Sequence, residues 1–211
     1  MPCFYTHYRF SQDVLNRLSD NNKKIINERP IYYEIFNQSF DNLYFHHTFN
    51  IKKDIKIWKL SNYAHKHQAN NYFKHIINYI IDNNLQKNPE VIGYLYGSIN
   101  HYILDSTTHP YVYYKTGFFR RKNIHTYKYE GQHSKFEYML DAYFYEKDTG
   151  LKIFKYKLYN ERIPKVRFSH NLLNCIDYTF LKTFKTKNMG KEFQKSYLQE
   201  HRIYRKYFYD K

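Results

Sequence analysis

The sequence predicts an all-α protein, and three observations carry that reading. Apolar side chains recur at helical spacing, as in Tyr72, Phe73, Ile76, Ile77 and Ile80. Alternation with a period of two, the mark of a half-buried strand, is weak throughout. Only 6 Gly and 5 Pro occur in 211 residues, so the chain reads as helices joined by short connections.

In chain order, a first helix is expected over 11–19, with Val14, Leu15 and Leu18 on one side. The stretch 37–57 reads as irregular and carries Asp41. A long helix follows over 62–83. Asn88-Pro89-Glu90 supplies a start signal: an N-cap, a proline in the first helical position and an acid in the first turn. The helix it opens carries His101 and Asp105 and is expected to end by Thr108 or His109, ahead of Pro110. A loop over 112–132 holds Arg120, Arg121 and Lys122. His133 begins the next helix, with Phe136, Leu140, Tyr143 and Phe144 as its apolar stripe and Thr149-Gly150 as its stop. Two more helices are expected over 168–185 and 189–208.

The length fits one domain spanning 1–211, with enough chain for a real core. Apolar residues make up 42% and aromatics 21%, which excludes a disordered chain. Tyr and Phe, 26 and 17 in number, must therefore supply much of the core. The formal charge of +15 favours anionic partners such as phosphoesters, nucleic acid or anionic lipid, without choosing among them. Cys3 and Cys175 form no Cys-x-x-Cys pattern, so neither a thiolate zinc site nor a disulfide framework is expected. No apolar run reaches the length of a transmembrane helix. The opening MPCFYTHYRF lacks the basic and apolar regions of a signal peptide, so a cytoplasmic protein is expected.

Against this background two short stretches stand out. His101, Asp105 and His109 are spaced by four, and so are His133 and Glu137. Residues four apart lie on one helix face, so each stretch aims its imidazole and carboxylate groups the same way. Ile99, Tyr102, Ile103 and Leu104 surround His101 and Asp105, which points to a buried helix. Burying imidazole and carboxylate unpaired is costly, and metal coordination offsets that cost. Nitrogen and oxygen donors converging without cysteine are the donors of a catalytic zinc site.

The segment Gly97-Ser-Ile-Asn-His101-Tyr-Ile-Leu-Asp105-Ser-Thr-Thr-His109-Pro110-Tyr111, followed by His133-x-x-x-Glu137, resembles the zinc-dependent phospholipase C family. The opening Pro2-Cys-Phe-Tyr-Thr-His7-Tyr-Arg-Phe is similar to the start of its bacterial members. The resemblance implies a single-domain multi-helix bundle of the type shared with single-strand zinc nucleases, two to three Zn2+ ions and hydrolysis of phosphodiesters, phospholipid foremost. It implies that His101 helps hold one zinc and that Asp105 bridges this zinc to a second. His109, His133 and Glu137 would hold the remaining ion, and His7 would ligate the pair. Asp41 would bind the first of the paired ions and, beside the attacking water, serve as general base. One further histidine comes from Ala64-His65-Lys66-His67-Gln68; both are candidates, and the family pattern favours His67. Secreted members also use the chain's amino terminus as a ligand, which places Met1 or Pro2 there.

The chemistry expected from such a site is attack on phosphorus by metal-activated hydroxide with expulsion of an alkoxide. Asp141, one turn after Glu137, is either a partner of a ligating histidine or a surface acid. The remaining histidines, His46, His47, His75, His125, His170 and His201, read as surface or structural. Two other functions stay in view: a zinc nuclease acting on nucleic acid, which the charge would suit, and a basic metal-binding protein without turnover.

Overall fold

The computed structural model describes residues 4–46, 51–152 and 164–208. The protein is all-α, as expected, and no strand occurs among the described residues. The helices are α1 (Phe4–Leu15), α2 (Asp20–Glu28), α3 (Pro30–Phe36), α4 (Ile51–Ala64), α5 (Ala69–Asp82), α6 (Pro89–Thr116), α7 (Gln132–Thr149), α8 (His170–Phe184) and α9 (Met189–Phe208). Two 3-10 segments, Ser39–Phe45 and Ile124–Tyr129, complete the frame.

Local chemistry explains most boundaries. Ser19 and Ser169 cap α2 and α8 through their hydroxyls. The Asn88 carboxamide oxygen accepts from the Glu90 and Val91 amides, both at 3.1 Å, at the start of α6. Gly150 ends α7 in a left-handed conformation, donating its amide to the Glu146 carbonyl at 2.8 Å.

The departures from expectation have identifiable causes. The first helix begins earlier, at Phe4, because Asp141 on α7 accepts the Tyr5 and Thr6 amides at 3.0 and 2.8 Å. A carboxylate from another helix thus does the work of an N-cap, which local sequence does not reveal. The expected helix over 62–83 is two helices, α4 and α5, broken at 65–68 by Gln68 with φ 68°. The irregular stretch 37–57 contains a 3-10 segment and the first half of α4.

The largest correction concerns α6. It does not stop ahead of Pro110 but runs through it to Thr116. A proline inside a helix removes one hydrogen bond and crowds the carbonyl four residues back. The turn before Pro110 is lined by hydroxyls: Thr107 and Thr108 donate to the Ile103 and Leu104 carbonyls at 2.7 and 2.8 Å. Such back-bonding accompanies bending, which relieves the clash. Beyond the proline, Val112 and Thr116 are buried, so packing holds the helix together to Gly117.

The core is aromatic, as the composition required. Tyr33 and Phe36 of α3, Tyr72 of α5, Tyr94 of α6, Phe180 of α8 and Phe193 of α9 are all fully buried. Buried phenols need partners, and they find each other or the backbone. The Tyr72 and Tyr94 hydroxyls meet at 2.6 Å. Tyr33 donates to the Ser11 carbonyl at 2.7 Å and accepts from Asn100 at 2.5 Å, tying α1, α3 and α6 together. Cys175 is a free thiol inside this core; Cys3 lies outside the described residues.

A buried histidine ties α9 to the frame. His46 is structural, as expected, and fully buried between Asp54 of α4 at 2.9 Å and Glu192 of α9 at 2.7 Å. Glu200 on the same helix is also buried, and desolvation, helped by the charge of Asp41, pushes its carboxyl up to about 8. Below the ordinary glutamate value of 4.5 both folded and unfolded chains hold this proton. As pH rises from there to about 8 only the unfolded chain releases it, so the stability contributed by Glu200 falls across that window. Glu200→Gln, which cannot ionise, is expected to flatten that fall. Denaturant midpoints at about pH 5 and about pH 8.5 check this; equal pH slopes in parent and variant would exclude it.

Candidate metal centre

The long helix α6 carries His101, Asp105 and His109 one turn apart, and α7 presents His133 and Glu137 across from them. Helix α1 brings His7, and the 3-10 segment Ser39–Phe45 brings Asp41. These side chains line one cleft of about 550 Å³, walled by Phe40, Tyr44, Tyr102 and Tyr113. Seven of the eight expected ligands therefore converge. They form two groups, His7, Asp41, His101 and Asp105 in one and His109, His133 and Glu137 in the other, with donor atoms in each group within 4.8 Å of one another.

The eighth residue does not join them. His67 is exposed and packs its ring on Tyr63 at 4.5 Å, outside the cleft. His65, the other candidate, lines the cleft instead, with its Nε2 3.0 Å from Asp41 Oδ1 and 3.3 Å from His101 Nε2. The helix break explains the exchange. Because α4 ends at Ala64, His65 sits on a turn that still hydrogen-bonds back to Ser61, whereas His67 has already left it. His65→Ala is expected to lose bound metal, and His67→Ala to keep it within about 2-fold of the parent, since surface substitutions usually change little. Metal-to-protein ratios of the two variants decide; equal loss, or loss in His67→Ala alone, would return the role to His67.

Second partners orient the imidazoles. His101 Nδ1 is 3.1 Å from the Asn37 carbonyl and His65 Nδ1 is 2.8 Å from the Ser61 carbonyl. Each carbonyl must receive a proton from Nδ1, which turns Nε2 of both rings toward the carboxylates. Asp141 is not a surface acid, and it serves the histidine His7 indirectly. It is buried and holds the first turn of α1, including the Thr6 hydroxyl at 2.6 Å, so it positions His7 through the backbone. Asn37 and Ser61 were invisible as site residues, because backbone carbonyls leave no motif.

Asp105 is the hub. Its Oδ1 lies 3.3 Å from His7 Nε2, while its Oδ2 lies 3.4 Å from His101 Nε2 and 4.0 Å from His109 Nδ1. In the second group Glu137 Oε1 is 3.3 Å from His109 Nε2 and 2.9 Å from His133 Nε2. Charged hydrogen bonds usually run about 2.7–2.9 Å. Tetrahedral ligands about 2.0–2.1 Å from zinc lie about 3.3–3.4 Å from each other. Three of the carboxylate–imidazole separations, and the His65–His101 contact, match the second spacing rather than the first.

Electrostatics point the same way. Burial presses His101 down to about 4, against the pull of Asp105 and Asp41. Burial also disfavours a charged His65, but Asp41 outweighs it and lifts that imidazole up to about 9. Desolvation opposes ionisation of Asp105 and Glu137, and the histidines around them overcome it and hold both carboxyls below their usual range. A single proton on His65 satisfies Asp41 but leaves the bare Nε2 of His101 facing it. A divalent cation suits both nitrogens and the carboxylates together, so the donor set fits zinc. The amino-terminal ligand expected at Met1 or Pro2 lies outside the described residues.

No family model, no curated protein and no solved structure matches the chain. No helix among the described residues is long and apolar enough to cross a membrane.

Proposed function

We propose that the protein is a zinc-dependent phosphodiester hydrolase of the phospholipase C type. The observation that carries the proposal is the convergence of His7, Asp41, His65, His101, Asp105, His109, His133 and Glu137 on one open cleft. His65, His101, Asp41, Asp105 and His7 would hold a pair of ions, with the two oxygens of Asp105 facing different histidines. His109, His133 and Glu137 would hold another. Bound zinc supplies Lewis acidity and lowers the pKa of water to about 7. The chain's own residues do the rest. Asp41 would take the proton of an attacking water. Lys66 and Asn62 line the cleft outside the ligand set and can receive the nonbridging oxygens of a phosphodiester. The aromatic walls exclude bulk water and accept the apolar part of a lipid or a base.

The test is elemental analysis of the natively purified protein together with hydrolysis of phosphatidylcholine, single-stranded DNA and a small chromogenic phosphodiester. Two to three zinc per chain, lost in His101→Ala/Glu137→Ala, with phosphodiester cleavage abolished by chelator, is the expected result. Preference for DNA over lipid moves the reading to a zinc nuclease. Bound metal with no turnover on any substrate leaves a metal-binding protein, and absence of metal overturns the proposal.

A further inference from the structure

We infer that the segment 117–131, between the two halves of the ligand set, docks the mouth of the cleft onto an anionic lipid bilayer. The inference goes beyond the hydrolase reading and concerns a surface that contains none of the ligands. A continuous path of rings leads to it from the site. The His133 ring packs on Tyr113 at 4.8 Å, Tyr113 on Phe118 at 4.7 Å, and the Arg120 guanidinium lies 5.5 Å over Phe118. At the tip, Ile124 is 75% exposed and follows Arg121 and Lys122 closely in the chain. Phe118 and Tyr127 of the same segment are also exposed.

The tip is built rather than loose. The Thr126 hydroxyl accepts the Arg120 amide at 2.8 Å and shares its proton between the Asn123 and Arg120 carbonyls at 2.7 and 3.0 Å. Tyr127 donates to the Arg121 carbonyl at 3.0 Å, and Asn123 caps the 3-10 turn. Gly117, at φ 71°, turns the chain where any Cβ would meet the Tyr129 ring at 2.4 Å. The ordered loop thus presents Ile124, Phe118 and Tyr127 to water within a basic segment.

Charge names the partner. Between 111 and 135 the chain carries Lys115, Arg120, Arg121, Lys122, Lys128 and Lys135 against the single acid Glu130. Three of these lysines, with exposed Met139, line an adjoining recess of about 410 Å³, a basic rim with an apolar floor. Cations around apolar tips suit a surface that has anionic head groups above hydrocarbon. Single-stranded nucleic acid would need free ring faces. Ile124, 75% exposed, offers no π-face on which a base could stack.

The experiment measures binding of the full chain to vesicles of phosphatidylcholine with and without phosphatidylserine. Tighter binding to the anionic vesicles, weakening with salt, is expected. Arg120→Gln/Arg121→Gln/Lys122→Gln should lower that affinity roughly 100-fold, from about 5-fold per cation. Ile124→Asp should lower it at least several-fold, through loss of apolar burial and added repulsion. Both variants should keep the circular dichroism of the parent and its hydrolysis of a small soluble phosphodiester. Equal binding to both vesicle types, unchanged affinity in both variants, or tighter capture of a single-stranded oligonucleotide at the same residues overturns the inference. Vesicle binding that follows these variants, in a protein that cleaves no phosphodiester, upholds the docking surface while the hydrolase reading fails.

Discussion

Asp105→Asn is expected to lower phosphodiester hydrolysis at least 1,000-fold, a loss of about 4 kcal/mol in transition-state stabilisation. The substitution preserves size and removes the charge at the carboxylate that lies 3.3 Å from His7 and 3.4 Å from His101 and faces His109 at 4.0 Å. Asp105 belongs to the first group of donors and borders the second, so its loss should reduce the metal content below that of the parent rather than merely slow turnover. The chain should also lose the stabilisation that zinc confers, because an ion bound only by the folded state adds its binding free energy to folding. In the parent, chelator should lower the thermal midpoint; in Asp105→Asn it should lower it less. Elemental analysis and melting curves with and without chelator check the two halves separately. Full metal content with full activity in Asp105→Asn would remove Asp105 from the centre.

Gly97→Ala is expected to cost about 2 kcal/mol of stability, lowering the thermal midpoint by about 4–8 °C. Helix α3 crosses α6 so closely that a Cβ on Gly97 would lie 2.7 Å from the Tyr33 carbonyl oxygen and 2.8 Å from the Phe36 carbonyl carbon. A Cβ on Gly93, one turn earlier, would lie 2.8 Å from the Tyr33 amide nitrogen. These are backbone atoms and cannot swing aside, so the helices must separate. The gain in helix propensity of about 1 kcal/mol offsets only part of the strain. The same crossing sets the Asn37 carbonyl against His101 Nδ1 at 3.1 Å. Metal affinity should therefore fall together with stability, although Gly97 touches no ligand. Calorimetry and zinc titration of the variant check both effects. A variant that melts as the parent does would show that the crossing can relax.

Much of the frame was legible in the sequence because it is written locally. The start of α6 follows from Asn88-Pro89, and the end of α7 follows from Gly150. Helices α8 and α9 fall within a few residues of the expected ranges 168–185 and 189–208. The pairing of His101 with Asp105 and of His133 with Glu137 follows from helical geometry, which needs no tertiary information. The short helices α2 and α3 escaped notice. Their placement depends on burial of Ile26, Tyr33 and Phe36 against the rest of the chain. Gly93-x-x-x-Gly97 was the available signal for that close crossing.

What the sequence determined by itself was the helical class, the aromatic core and most of the donor set, since each rests on residue type and spacing along one element. Only the tertiary structure put His65 rather than His67 in the cleft, carried α6 through Pro110, and set the Asn37 and Ser61 carbonyls behind the histidines of the cleft and Asp141 behind the first turn of α1. Each of those decisions is made where separate parts of the chain meet. A helix break fixes which histidine faces the cleft, buried side chains beyond a proline outweigh its local cost, and a carbonyl or carboxylate from elsewhere satisfies a group that its neighbours in sequence leave open.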